Sequence, residues 1–228
     1  IALLVSFGLP TALASLWGDP YGGLFLAGLA RVVFVHHATW CINSVAHSFG
    51  RKTYSDSHSG RDSAVTALLT YGEGYHNFHH EFPQDYRNGV RHYHWDPTKW
   101  LIRLLSTFGL AENLRRVDPQ KILKARLEMD EKGLRNRLRR WEGLGIVMTD
   151  GLKTLRERVL MAHDRFVELK AEYRRLKKQK AGELAKQLTT LRQEIRKARL
   201  EFRSLWGIWK GLLRLRPVRI PIPSGTDI

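Results

Sequence analysis

Hydrophobic residues form two long runs near the start of the chain, and further along they become periodic. Residues 1–17 are almost wholly apolar, a polar turn of sequence GDPYG follows, and residues 23–46 are again mostly apolar. At 1.5 Å per helical residue each run is about 25–35 Å long, enough to cross the hydrocarbon core of a bilayer. The pattern therefore predicts two membrane helices. A buried helical hairpin in a soluble protein is the less favoured alternative, because the runs lack amphipathic alternation.

Charged residues in and after the second run indicate how it is oriented. Arg31 lies inside the run, and a charge at the bilayer centre costs about 3 kcal/mol, so it must face protein or the interface. Arg51 and Lys52 follow the run, and positive charge favours the cytoplasmic side. We therefore predict an integral membrane protein with His47, and the chain that follows it, on the cytoplasmic side.

The middle of the chain predicts a polar loop over residues 53–63 and a helix over residues 64–80. A second loop leads to a helix over residues 96–110. This helix begins with an aspartate that can cap it and a proline in its first position.

From residue 119 onward apolar residues recur at alternating three- and four-residue spacing, which is typical of a coiled coil. The pattern slips by one residue near Gly182, so the chain forms either one long helix with a phase skip or two arms of a hairpin. Three prolines lie within residues 214–228, which we expect to be extended or disordered.

Charge divides the chain at residue 118. Residues 1–118 have a net charge of +1 and hold nine of the ten histidines, whereas residues 119–228 have a net charge of +15. We therefore expect a histidine-rich domain, a basic helical extension over residues 119–213 and a proline-rich tail. The extension could self-associate as a coiled coil or bind anionic lipid headgroups. Nucleic acid is a less favoured partner, because the extension has no recognition motif and lies close to the membrane spans.

Two short motifs suggest a metal site. In HNFHH, His76, His79 and His80 stand at positions i, i+3 and i+4, which share one face of a helix. In NSVAH, Asn43 and His47 are one helical turn apart at the cytoplasmic end of the second run. Imidazoles suit zinc and iron, and the spacing fits either a single zinc or part of a larger iron site.

The other histidines that we considered are interpreted as structural. His36 points in the same direction as His47 but lies about 16 Å away along a helix, too far to share its metal. The same interpretation covers His37, His58, His92 and His163.

The segments INSVAHSFG (residues 42–50) and GEGYHNFHHEFPQDYR (residues 72–87) resemble the membrane-bound fatty acid desaturases. The branch most similar is that of the acyl-CoA Δ9, or stearoyl-CoA, desaturases in their bacterial form, and the resemblance covers roughly residues 1–118. It implies an all-α fold in which four membrane helices carry a cytosolic helical cap with two irons. The basic helical tail lies outside this resemblance.

The resemblance also implies roles for individual residues. Metal ligands of the family match His47, His76, His79 and His80. Asn43 matches a residue that reaches a metal through water, and Trp40 matches a tryptophan that lines the acyl-chain tunnel.

Such enzymes use O₂ to remove two hydrogens from an acyl-CoA or acyl-lipid chain, and an external carrier supplies the electrons. Ferredoxin, rubredoxin or cytochrome b5 is the type of carrier implied. The chain has no HPGG stretch, so a fused cytochrome b5 is not supported.

The chain departs from the family in its first part. The family has two earlier motifs, HxxxxH and HxxHH, and neither occurs before His47, where only the adjacent His36 and His37 are found. Together with the initial Ile1, this predicts an N-terminally truncated desaturase that is inactive by itself. The alternative is a membrane-anchored coiled-coil binding protein whose histidines hold one structural zinc.

Overall fold

A computed structural model describes residues 1–138, 145–178 and 184–215, and the regular structure of these residues is helical. The predicted all-α fold is therefore confirmed for this part of the chain. The chain divides into two compact units, Ile1–Val117 and Asp118–Ile228.

The first unit begins with two apolar helices, α1 (Leu4–Ser15) and α2 (Pro20–Ser48), each of which contains a π-helical segment. Among the described residues, α2 is the one helix long and apolar enough to cross a membrane. Helix α1 is about 18 Å long, which is short of the length a complete span needs. It ends at Ser15, and Gly18 then takes a left-handed conformation with φ of 86°. The membrane span predicted over residues 1–17 thus stays a prediction.

Helices α1 and α2 pack closely because one position between them has no side chain. A Cβ atom on Gly23 would lie 2.6 Å from the Cβ of Ala14 and 2.6 Å from the carbonyl oxygen of Pro10. Arg31 also joins the two helices, since its guanidinium donates to the carbonyl oxygens of Ala27 (2.8 Å) and Ser6 (3.1 Å). The charge inside the second apolar run therefore faces protein carbonyls, as its cost in a membrane requires.

We expect Gly23→Ala to destabilise the α1–α2 pair by about 1–3 kcal/mol, because the new methyl group has no room between the helices. Gly8→Ala is the control, since its Cβ would lie 3.6 Å from the Leu4 side chain in ordinary contact. Circular dichroism during titration with sodium dodecyl sulfate measures the effect. A midpoint that is the same for Gly23→Ala as for the unchanged chain would show that the close packing is not required.

The predicted helix over residues 64–80 is wrong in its middle. The structure has two short helices instead, α3 (Ala64–Leu69) and α4 (His76–Glu81). Between them Tyr71 and Gly72 take left-handed conformations with φ of 54° and 107°. A Cβ on Gly74 would lie 2.0 Å from the backbone nitrogen of Ala67, so this close contact requires glycine. The turn folds the start of α4 back against α3.

The next helix, α5 (Pro97–Thr107), confirms the prediction made from its capping residues. The Asp96 side chain accepts a hydrogen bond from the Lys99 backbone N–H at 2.9 Å, and Pro97 occupies the first helical position. Asp96 is fully buried, and its other carboxylate oxygen accepts from the backbone N–H groups of Asn88 and Gly89. One side chain thus fixes both the helix start and the preceding loop.

The second unit contains the helices α6 (Pro119–Leu138), α7 (Gly145–Lys178) and α8 (Leu184–Arg214). Tyr173 of α7 accepts a hydrogen bond from Arg192 of α8, whereas Val159 packs near Leu205 and Trp209. Contacts therefore run in opposite directions along the two helices, which selects the hairpin over one continuous helix.

Helix α6 completes an up-down-up arrangement. Leu127 packs with Val159 of α7, while Asp130 accepts a hydrogen bond from the indole of Trp209 at 3.2 Å. Further along α6, Arg137 donates a hydrogen bond to the carbonyl oxygen of Leu213, which lies further along α8 than Trp209. The two helices are therefore parallel.

The predicted apolar spacing agrees with burial in both arms of the hairpin. Buried members of the pattern are Leu152, Val159, Ala162, Leu191, Ala198 and Leu205. The slip near Gly182 and residues 216–228 lie outside the described residues, and coiled-coil self-association stays a prediction.

Candidate metal centre

Three imidazoles from two helices meet at one point in the first unit. His47 lies at the end of α2, and His76 and His80 lie one turn apart on α4. The Nε2 atom of His76 is 3.0 Å from Nε2 of His47 and 3.0 Å from Nε2 of His80. One ligand atom from each residue lies within 4.8 Å of the other two. We call these three residues the imidazole trio.

The spacing of the trio fits a shared metal ion. Imidazole nitrogens bind zinc at about 2.0–2.1 Å, so two of them on one tetrahedral ion lie about 3.3–3.4 Å apart, close to the 3.0 Å seen here. Burial, with smaller contributions from His80 and His47, lowers the pKa of His76 to about 4. His76 is therefore neutral at pH 7, and its nitrogen lone pair is available to a metal.

A polar loop over residues 53–62 holds the trio in place from the outside. Ser59 lies in this loop, and its hydroxyl is 2.7 Å from Nδ1 of His47. A hydrogen bond to the second ring nitrogen fixes the orientation of a metal-binding histidine, so Ser59 positions His47 for binding through Nε2.

Asn77, between two of the histidines, ties this loop to α4. Its side chain is fully buried, and its Oδ1 accepts from the backbone N–H of Tyr54 at 2.7 Å. Its Nδ2 donates to the carbonyl oxygens of Ser55 and Gly60, both at 2.8 Å. The asparagine of HNFHH is thus structural support for the histidines on either side of it.

Asp62 caps the first turn of α4. Its Oδ1 accepts from the backbone N–H groups of Asn77 at 2.9 Å and Phe78 at 3.1 Å. Burial raises the pKa of Asp62, and the hydrogen bonds that it accepts oppose this shift. The contacts fix the helix that carries two of the three imidazoles.

Two of the five predicted metal-site residues lie outside the trio. The ring of His79 is centred 6.0 Å from that of His76 and 5.9 Å from that of His80. On a helix, His80 is rotated by about 40° and His79 by about 60° from His76 in opposite directions, so they face different sides. Asn43 is exposed, one turn before His47. Metal binding by His79 and Asn43 stays a prediction.

Trp40 lies on α2 before the trio. It is 63% exposed, and its ring is centred 5.0 Å from that of His37. His36 is exposed, and the Nδ1 atom of His37 is 2.8 Å from the carbonyl oxygen of Val33. The tunnel role of Trp40 stays a prediction, and neither His36 nor His37 joins the trio.

His58 was interpreted from the sequence as structural, yet the structure places it beside the trio. Its ring is centred 5.1 Å from that of His80, and its Nε2 is 4.0 Å from a carboxylate oxygen of Glu81. Burial, which outweighs the effect of Glu81, lowers the pKa of His58. The residue spacing of the polar loop does not predict that His58 lies beside the trio, because the course of the loop is set by its hydrogen bonds to Asn77.

Together the fold and site define an all-helical chain with a candidate membrane span and a histidine cluster suited to a metal ion. No protein-family model matches the chain. Its homologues are acyl-CoA and stearoyl-CoA desaturases, which confirms the resemblance seen in the motifs.

Three relatives illustrate the extent of the match. A probable acyl-CoA desaturase of Schizosaccharomyces pombe is 49% identical over 135 residues, covering 59% of this chain and 28% of the relative. Acyl-CoA desaturase 1 of Saccharomyces cerevisiae is 42% identical over 151 residues, 66% of this chain and 29% of the relative. Human stearoyl-CoA desaturase is 36% identical over 123 residues, 53% of this chain and 34% of the relative.

The chain spans about a third of the length of these relatives. The 151-residue match is longer than residues 1–118, so the similarity to the Saccharomyces relative extends into the second unit. The domain boundary predicted at residue 118 stays a prediction. The bacterial type expected from the motifs stays a prediction, since these three relatives come from yeasts and human.

Proposed function

We propose that the chain is part of an acyl-CoA desaturase, an oxidoreductase that introduces a double bond into a fatty acyl chain. The observation that carries the proposal is the imidazole trio, formed by the two motifs that resemble desaturases, in a chain up to 49% identical to such enzymes. The reaction removes two hydrogens from neighbouring methylene groups. One O₂, two electrons from an external carrier and two protons balance it with two molecules of water.

Iron is the metal that we propose, with His47, His76 and His80 around one ion. Iron held there would supply the activation of O₂ that the reaction needs. His79 faces away from the trio on the same turn of helix, and we propose it as a ligand of a second ion. Asn43 would reach the site through water.

The chain's own residues orient the imidazoles and keep His76 in its neutral, metal-binding form. Ser59 and Asn77 fix the imidazoles, and the low pKa of His76 keeps it unprotonated at pH 7. We place the trio and the basic helices on the cytoplasmic side, where acyl-CoA or acyl-lipid substrates and the electron carrier (of the ferredoxin, rubredoxin or cytochrome b5 type) would meet them. Trp40 would line the path of the acyl chain.

A second candidate function is a single structural zinc site in a membrane-anchored binding protein. It is favoured by one observation: among the described residues, the trio is the only group of three or more histidine, cysteine or acidic ligands close enough to share an ion. Zinc accepts three imidazoles and a fourth ligand. If this is the function, the chain binds a metal but does not support desaturation, even as part of a longer protein.

A chimera separates the two functions. The 151-residue segment of the Saccharomyces acyl-CoA desaturase 1 that aligns with this chain is replaced by the matching residues of this chain. The chimera is then produced in a yeast strain that lacks the enzyme. We expect monounsaturated fatty acids to form, because on this proposal His47, His76 and His80 supply the metal ligands of the segment that is replaced. A chimera that reaches the membrane at normal levels but forms no monounsaturated product would favour the structural zinc site.

A further inference from the structure

A small pocket in the first unit, away from the residues of the imidazole trio, is lined almost entirely by basic and aromatic side chains. Its volume is about 180 Å³, and it lies between the loop before α5 and the segment after it. Five lysines and arginines line it, together with Tyr86 and Trp100, and none of its lining residues in the described structure is acidic.

Two of these cations are less available to a ligand, Arg87 because its charge is paired and Lys99 because its donors are used. Arg87 makes a bidentate ion pair with Asp85, at 2.7 and 2.8 Å, which neutralises its charge. Lys99 is buried, and its ammonium group donates to the carbonyl oxygens of Gly89, Arg91 and His94, at 2.7, 3.0 and 3.3 Å. An ammonium group has three hydrogens, so Lys99 adds positive charge to the wall but no further donor.

Arg91, Arg103 and Arg116 are the residues that can bind a ligand. Arg116 donates one hydrogen bond to the hydroxyl of Tyr86 at 2.9 Å, and Arg91 donates one to the hydroxyl of Tyr93. A guanidinium group has five N–H donors in a planar fork, so each keeps most of its donors. Arg103 is exposed on α5 and also lines the pocket.

We propose that this pocket binds a phosphate group. Three arginines around one small cavity repel one another, and a dianion removes that repulsion while it accepts paired hydrogen bonds from their forks. The volume is below that of pockets for whole drug-sized ligands, about 300–1,000 Å³, and fits a single charged group. Two sources have this chemistry, a soluble phosphate ester such as coenzyme A and the headgroup of an anionic phospholipid.

The test uses adjacent arginines as a matched pair. Arg116 lines the pocket, whereas Arg115 is exposed and does not. Arg116→Gln and Arg115→Gln lower the net charge equally, so long-range electrostatics affect both variants alike. Calorimetry on the full chain in uncharged detergent, without metal, measures the affinity for inorganic pyrophosphate, coenzyme A and a short-chain phosphatidic acid. Arg103→Gln is a second pocket variant that leaves the Tyr86 contact in place.

We expect pyrophosphate to bind the unchanged chain and the affinity to fall about tenfold or more in Arg116→Gln and Arg103→Gln. Arg115→Gln should bind as the unchanged chain does. Tighter binding of coenzyme A identifies a soluble ester as the source, and tighter binding of phosphatidic acid identifies a lipid headgroup; either supports the site if Arg116→Gln weakens it. No binding of pyrophosphate, or an equal loss in Arg115→Gln, would overturn the proposal. Since no metal or turnover is involved, the result is independent of the proposed desaturase function.

Discussion

In the yeast chimera, His76→Ala is expected to abolish the formation of monounsaturated fatty acids. His76 is 6% exposed and central to the trio, because its Nε2 is the atom 3.0 Å from both His47 and His80. Loss of an outer residue that merely orients a ligand typically costs 10–100-fold in metal affinity or activity, so loss of the central ligand should cost at least about 100-fold. Gas chromatography of total fatty acids measures the product.

Neighbouring substitutions make this prediction specific. His80→Ala should be as severe, and His79→Ala should be too if it binds the second ion. His36→Ala is the matched control, since His36 is an exposed histidine on α2 outside the trio, and it should retain activity. Full activity in His76→Ala or His80→Ala would refute the ligand assignment, whereas full activity in His79→Ala alone would leave only the trio as ligands.

Asn77→Ala is expected to free the loop over residues 53–62 from α4. The side chain makes four hydrogen bonds with the loop backbone, to Tyr54, Ser55 and Gly60. Removing a buried partner costs about 1–3 kcal/mol for each group left without a bond, so local opening should become easier by about 3 kcal/mol or more. Hydrogen–deuterium exchange in residues 53–62 should then speed up by about 100-fold.

Two other variants test this interpretation of Asn77. Ser57→Ala alters the same loop at an exposed position that bonds only within the loop, so exchange should change little. Asn77→Asp keeps the acceptor oxygen but loses both side-chain donors. Its exchange rate in residues 53–62 should lie between those of Ser57→Ala and Asn77→Ala. If Asn77→Ala leaves exchange in residues 53–62 at the unchanged rate, the loop is held by other contacts and the supporting role of Asn77 is wrong.

Local patterns predicted much of the fold. The cap at Asp96 predicted the start of α5, and apolar spacing identified the faces of α7 and α8 that are buried. These features depend on residues within a few positions of one another. The break between α3 and α4 was missed because it depends on Gly74 touching the backbone of Ala67, a contact that appears only when the chain folds back.

In the candidate site, too, local patterns were predictable and contacts that form only on folding were not. The spacing of His76 and His80 and the likeness of NSVAH to known motifs predicted that these histidines and His47 would meet, and they do. His79 shares the helix turn, but helical rotation places it on the other side of His76. His58 and Asn77 were not predicted, because their importance comes from a loop that returns to α4 through backbone hydrogen bonds, which carry little signal in side-chain types.

The ratio of metal to chain in residues 1–228, purified from a membrane and supplied with iron, tests the central claim most directly. The account predicts one metal ion per chain, bound by the trio, and no unsaturated product even with a reducing carrier, because His79 by itself supplies too few ligands to hold a second iron. The ratio should fall close to zero in His76→Ala and stay at one in His36→Ala. Two irons per chain, product above background, or an unchanged ratio in His76→Ala would contradict it.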